Sequence, residues 1–106
     1  MARAYRYRST VLELRPNCEL CDTDLPPVST DARICTYECT FCASCVDGVL
    51  HNVCPNCGGG FEPRPIRPMS ALLRDPAGTK RRHTNLSPAE IETRSARARD
   101  IEPTAR

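Results

Sequence analysis

Tryptophan is absent from this chain of 106 residues, and two Phe and three Tyr are all the aromatic bulk it has. So little apolar volume cannot supply a large core. A domain of this size ordinarily needs a further staple to offset its chain entropy. Long apolar runs are missing too. Nothing approaches the ~20 residues that cross a bilayer as a helix. Residues 1–16 carry Arg3, Arg6, Arg8 and Arg15 with no apolar run longer than Val11-Leu12. That pattern lacks the apolar h-region of a secretory signal, so the chain is expected to be cytoplasmic, with no membrane contact and with its thiols reduced. Ten Pro and five Gly break the chain throughout, which excludes a long helix through its middle.

Cysteine is the residue in excess. Eight occur: Cys18, Cys21, Cys35, Cys39, Cys42, Cys45, Cys54 and Cys57. Four disulfides satisfy the arithmetic, but a reducing compartment and the repeated Cys-x-x-Cys spacing favour metal. Zn²⁺ takes a tetrahedral set and binds thiolate well in structural sites. Two cysteines flanking two residues reach one ion from a tight turn whose N–H groups bond the sulfurs. Such a turn asks for positive φ just after its second cysteine. Gly58, after Cys54-Pro55-Asn56-Cys57, meets that need, and Asp22, after Cys21, tolerates it. Eight thiolates fill two sites with no water position over, so the expected cofactors are two Zn²⁺, both structural, and no enzyme activity is expected. His51 and His83 are then surplus to the metal. Two groupings stay open on spacing alone. In one, the first four cysteines share an ion and the last four share the other. In the other, Cys18, Cys21, Cys42 and Cys45 form site 1, and Cys35, Cys39, Cys54 and Cys57 form site 2.

The order C-x2-C-x13-C-x3-C-x2-C-x2-C-x8-C-x2-C resembles the RING finger, with Cys39 where that family usually has His. Phe41 before the fifth ligand, Leu20 between the first two and Pro55 after the seventh fit as well. The resemblance covers residues 18–57. It implies a small metal-stabilised α+β fold, a treble-clef-type double-zinc cross-brace with flexible termini, and therefore the second grouping. It also implies a partner-binding surface at Leu20, Pro55, Val49 and Leu50. Ubiquitin-ligase activity is the sharpest function it suggests. Against that, residues 46–53 hold no aromatic, and Gly58 stands where a basic residue often follows the eighth ligand. The stretch LELRPNCELC…DARICTYECTFCASC…CPNCGG is similar to a further family, of small bacterial cysteine-rich proteins of unknown function. Its members begin with Met at the position of Val11, so residues 1–10 are expected to be either an extension ahead of the true start or a genuine basic leader.

Charge divides the chain into three. Residues 1–10 have three Arg and no acid; residues 11–66 have three Arg against eight acids; residues 67–106 have nine Lys/Arg against five acids. Residues 11–66 are expected to be the zinc domain, with Leu20, Val28, Ile34, Phe41, Val46, Val49, Leu50 and Val53 as its apolar set. Residues 44–52 fit a short helix, with Val46, Val49 and Leu50 facing inward. Residues 67–106 read as a basic tail. Ser87-Pro88-Ala89-Glu90 is a capping box with Pro at the first helical position, but with few apolar residues to hold it the tail is expected to be largely disordered. The expected function is a structural zinc module presenting a protein-interaction surface, its partner a protein. Nucleic acid is the alternative, and only through tail cations such as Lys80, Arg81, Arg82, Arg94, Arg97 and Arg99, because the core has no Lys. Redox sensing is a third reading. The Cys39-x2-Cys42-x2-Cys45 run crowds ligands of different sites, but no thiol is spare.

Overall fold

The computed structural model describes residues 11–106; the expectation for residues 1–10 lies outside them. Strands β1 (Ala32–Ile34) and β2 (Thr40–Cys42) form an antiparallel hairpin, and β3 (Glu62–Pro63) pairs antiparallel with the other edge of β1. The hairpin turn is itself a cysteine turn. Cys35 N–H donates to Cys39 O at 3.2 Å, and Glu38, at φ 67°, donates to Cys35 O at 3.0 Å. Directly after β2, helix α1 (Ala43–Cys45) continues as a wider π-type segment, Val46–Leu50. His51 and Asn52 end it in the left-handed region, at φ 50° and 60°. Asn52 is used twice there, since its side-chain oxygen also accepts Phe61 N–H at 2.9 Å.

The expected inward face of this helix needs one correction. Val46 and Leu50 are buried, whereas Val49 is 43% exposed. Bonds from i to i+5 widen the turn, so the residue four on shares a face with Val46 and the residue three on is carried outward. Val28 is also outside, 73% exposed on its Pro-Pro loop. The buried apolar set is Leu14, Leu25, Ala32, Phe41, Val46, Leu50, Val53, Phe61 and Ile91, joined by six of the cysteines. Phe41 and Phe61 meet edge to face, ring centroids 5.5 Å apart, a favoured aromatic geometry. Phe41→Ala removes the centre of this set. Its expected cost is about 3–5 kcal/mol, read as a shift in the urea midpoint of the metal-loaded protein.

Two buried arginines brace the sheet. Arg64 donates to Arg15 O at 2.9 Å, Leu25 O at 3.0 Å and Pro26 O at 3.1 Å. Burial, with Arg67 nearby, holds its guanidinium below its ordinary pKa. Arg15 lies 2.9 Å from Glu19, whose carboxylate also accepts Thr40 N–H at 2.7 Å. Burial pulls the Arg15 pKa down, but the bonds to Glu19 and Glu13 outweigh it and raise the pKa overall.

The expectation of a largely disordered tail is corrected by its packing. Helix α2 (Met69–Leu72) is short, and α3 (Pro88–Ala98) is a capped helix lying on the domain. Ser87 Oγ accepts Glu90 N–H at 3.1 Å and Glu90 Oε1 accepts Ser87 N–H at 2.8 Å, closing the capping box. Ile91 and Ser95 of α3 are buried, and Ser95 Oγ donates to Leu50 O at 2.8 Å. A helix too weak alone is held by tertiary contact. A 3₁₀ turn, Pro103–Ala105, follows. Among the described residues, no helix is long and apolar enough to cross a membrane.

Candidate metal centre

The chain's turns bring the cysteines together in two interleaved sets. The sulfurs of Cys18, Cys21, Cys42 and Cys45 all lie within 4.8 Å of one another, and so do those of Cys35, Cys39 and Cys54. The first set joins the turn at residues 18–22 to the start of α1. The second joins the hairpin turn to the turn at residues 54–58. Of the two groupings that spacing allowed, this is the interleaved one. Cys57 is the exception. It is exposed, its sulfur lies more than 4.8 Å from at least one of the other three, and it accepts Gly59 N–H at 3.4 Å. All eight thiols are free.

The Cys18–Cys21 and Cys54–Cys57 turns close alike. Asp22 N–H donates to Cys18 O at 2.9 Å and Gly58 N–H to Cys54 O at 2.8 Å. Asp22 at φ 66° and Gly58 at φ 83° take the positive φ expected of them. A Cβ on Gly58 would meet nothing within 4 Å, so Gly58→Ala tests conformation alone. Its expected cost is about 1–2 kcal/mol, measured by denaturation of the loaded protein. Further N–H groups aim at the sulfurs: Cys21 N at Cys18 Sγ (3.5 Å), Tyr37 N at Cys35 Sγ (3.3 Å) and Asn56 Nδ2 at Cys39 Sγ (3.4 Å).

This donor set fits a tetrahedral metal. Metal–sulfur bonds of about 2.3 Å put the sulfurs of a tetrahedron about 3.8 Å apart. Cys21 Sγ and Cys42 Sγ are separated by 3.7 Å, far beyond the length of a disulfide bond. Burial raises the pKa of Cys18, Cys39, Cys45 and Cys54, with neighbouring thiols adding to the rise at Cys45 and, through Cys35, at Cys39. Buried thiols that resist ionising together are the environment a bound cation relieves. At the exposed edge, the Thr23 hydroxyl holds Cys21 down to about 6 against the effect of burial.

The expected partner surface is only partly available. Leu50 is fully buried and Pro55 is buried, Leu20 is half-buried, and Val49 is exposed. The tail covers this region. Leu20 and Val49 line one side of a cleft of about 480 Å³ whose other side is His83, Leu86 and Ile91. Leu50 and Pro55 are therefore corrected as contact residues, because α3 already occupies their face.

Sequence reasoning missed Asn56 as a sulfur donor and Thr23 as a partner of Cys21. It also missed the tail arginines that bond the cysteine turns. The signal for the last was present: an acidic cysteine region followed by a basic tail. Arg81 meets Asp24 at 2.7 Å and Asp22 at 2.9 Å, and Arg82 meets Glu13 at 3.1 Å.

A family model described as "Protein of unknown function (DUF1272)" matches residues 11–67, which contain every cysteine. "Uncharacterized protein R02474" of Rhizobium meliloti (strain 1021) is 61% identical over 71 residues, covering 67% of this chain and 84% of that relative. No solved structure matches the chain.

Proposed function

Because the chain belongs to the DUF1272 family, whose matched region is its cysteine region, we propose that it is a non-catalytic, double-zinc structural module whose ordered surface serves protein interaction in the cytoplasm. The observation that carries this reading is the interleaved gathering of seven sulfurs into two sets at metal-site spacing. Cys57, next in the turn begun by Cys54, completes the second set and brings each ion four thiolates. Zinc is favoured over other metals by the all-sulfur, four-donor chemistry. The RING-like cross-brace is the architecture that this sharing supports.

A protein partner is favoured over nucleic acid by where the basic charge goes. Arg81, Arg82, Arg94, Arg99 and Arg106 all bond groups of the chain itself. That leaves few of the tail's cations for phosphate. The exposed apolar side chains Tyr37, Ile66, Met69 and Leu73 offer contact area instead.

Elemental analysis with thiol titration tests the metal. The freshly purified chain is expected to carry two Zn²⁺, with its thiols protected until it is denatured. One metal per chain, or disulfides in place of thiolates, contradicts the reading.

A further inference from the structure

The Cys18–Cys21 and Cys54–Cys57 turns contain four cysteines, and the carbonyl that follows each of them accepts a hydrogen bond from the tail. After Cys18, Glu19 O accepts Thr84 N–H at 2.8 Å. After Cys21, Asp22 O accepts Arg81 Nη2 at 2.7 Å. After Cys54, Pro55 O accepts Arg94 Nη1 at 2.6 Å. After Cys57, Gly58 O accepts Arg106 Nη1 at 3.1 Å, and the same nitrogen reaches Asn52 O at 2.8 Å. A single segment, residues 81–106, therefore runs from the first turn to the second and fastens both.

Two further features mark it as a fitted strap. Gly60 lies so close to Pro103 that a Cβ there would meet the ring at 3.2 Å. Ile91 and Ser95, on either side of Arg94, are buried. The charge is also suited to the task. A divalent ion on four thiolates is a formal dianion, and the guanidinium groups that grip the turns place cations beside it.

We propose that residues 81–106 are a metal-retention strap, which slows loss of metal from both sites by holding the four cysteines' turns closed. Cys57 is the natural exit point. It is exposed, and its sulfur lies more than 4.8 Å from at least one of its three partners, so it is the sulfur that leaves first, and Arg106 fastens the carbonyl beside it. Arg81 performs the same task at Cys21, the exposed sulfur of the first set. The proposal rests on the two-zinc reading.

The experiment uses the full chain loaded with Zn²⁺ and follows release to a chromophoric chelator. NMR-active cadmium in the same variants assigns each loss to its site. Arg94→Gln and Arg106→Gln are expected to speed release from the Cys35 set about tenfold, the scale of one charge-assisted hydrogen bond, with little change at the Cys18 set. Arg81→Gln is expected to do the reverse. Arg97→Gln makes the same charge change on α3 without removing a bond to either turn, and should release at the native rate. Two bound metals released at native rates by all four variants overturn the strap while leaving the zinc sites standing. Equal acceleration by Arg97→Gln also overturns it, because net charge alone would then explain the effect. A native chain that takes up no metal overturns the zinc reading, and the strap with it.

Discussion

Chelating the metal from the native protein is expected to unfold it. Structural zinc contributes roughly 10–16 kcal/mol of apparent binding free energy in finger peptides, against about 5–15 kcal/mol for the whole stability of an ordinary domain. The apolar set centred on Phe41, Leu25, Leu50 and Val53 is small, and the sheet is two or three residues wide at each strand. Six of the eight cysteines lie within the buried core, so removing their ion leaves crowded polarisable groups where packing was. The tail goes with the domain, because Ile91, Ser95 and Arg94 bind surfaces that the sulfur turns shape. Amide NMR spectra before and after chelation read this directly. Collapse of dispersion across residues 11–106 is the expected result, and a dispersed apo spectrum contradicts it. Acid acts in the same direction, since protons compete for the thiolates.

Replacing Cys18 by Ser is expected to damage the site to which Cys18 does not belong. The β1–β2 hairpin carries Cys35 and Cys39 for the second set, and Cys42 of the first set ends its second strand. Freed of its metal, the first turn releases Cys42 and Cys45, and with them the strand and helix that locate Val46 and Leu50. Glu19 adds a second route, since its carboxylate and its N–H both bond Thr40 of β2. Residues in one connected network couple by about 0.5–3 kcal/mol. Affinity at Cys35, Cys39, Cys54 and Cys57 should therefore fall on the order of tenfold. Metal titration of the variant, compared with Cys54→Ser, measures it. Independent lobes would leave the second site at native affinity.

Local chemistry was legible in the sequence, and long-range packing was not. The left-handed positions at Gly58 and Asp22 followed from what a closed cysteine turn demands, and the Ser87 capping box from its four-residue signature. Spacing narrowed the sulfur sharing to two groupings without deciding between them. The inward face of the helix was misread at Val49 because its pattern assumes an α-helical period, and the segment is wound wider. Leu14, Leu25 and Phe61 sit in irregular chain with no periodicity to reveal them. The tail was misjudged because its apolar content was weighed alone. Its anchors are arginines bonded to backbone carbonyls, with one buried Ile and one buried Ser. A carbonyl acceptor belongs to every residue and leaves no mark in the sequence.

Which cysteines share an ion decides the architecture, and cadmium-to-cysteine-proton couplings in the loaded protein assign each sulfur to its metal. Cys18, Cys21, Cys42 and Cys45 are expected to couple to one ion, and Cys35, Cys39, Cys54 and Cys57 to the other. Coupling of Cys18, Cys21, Cys35 and Cys39 to a single ion would contradict it.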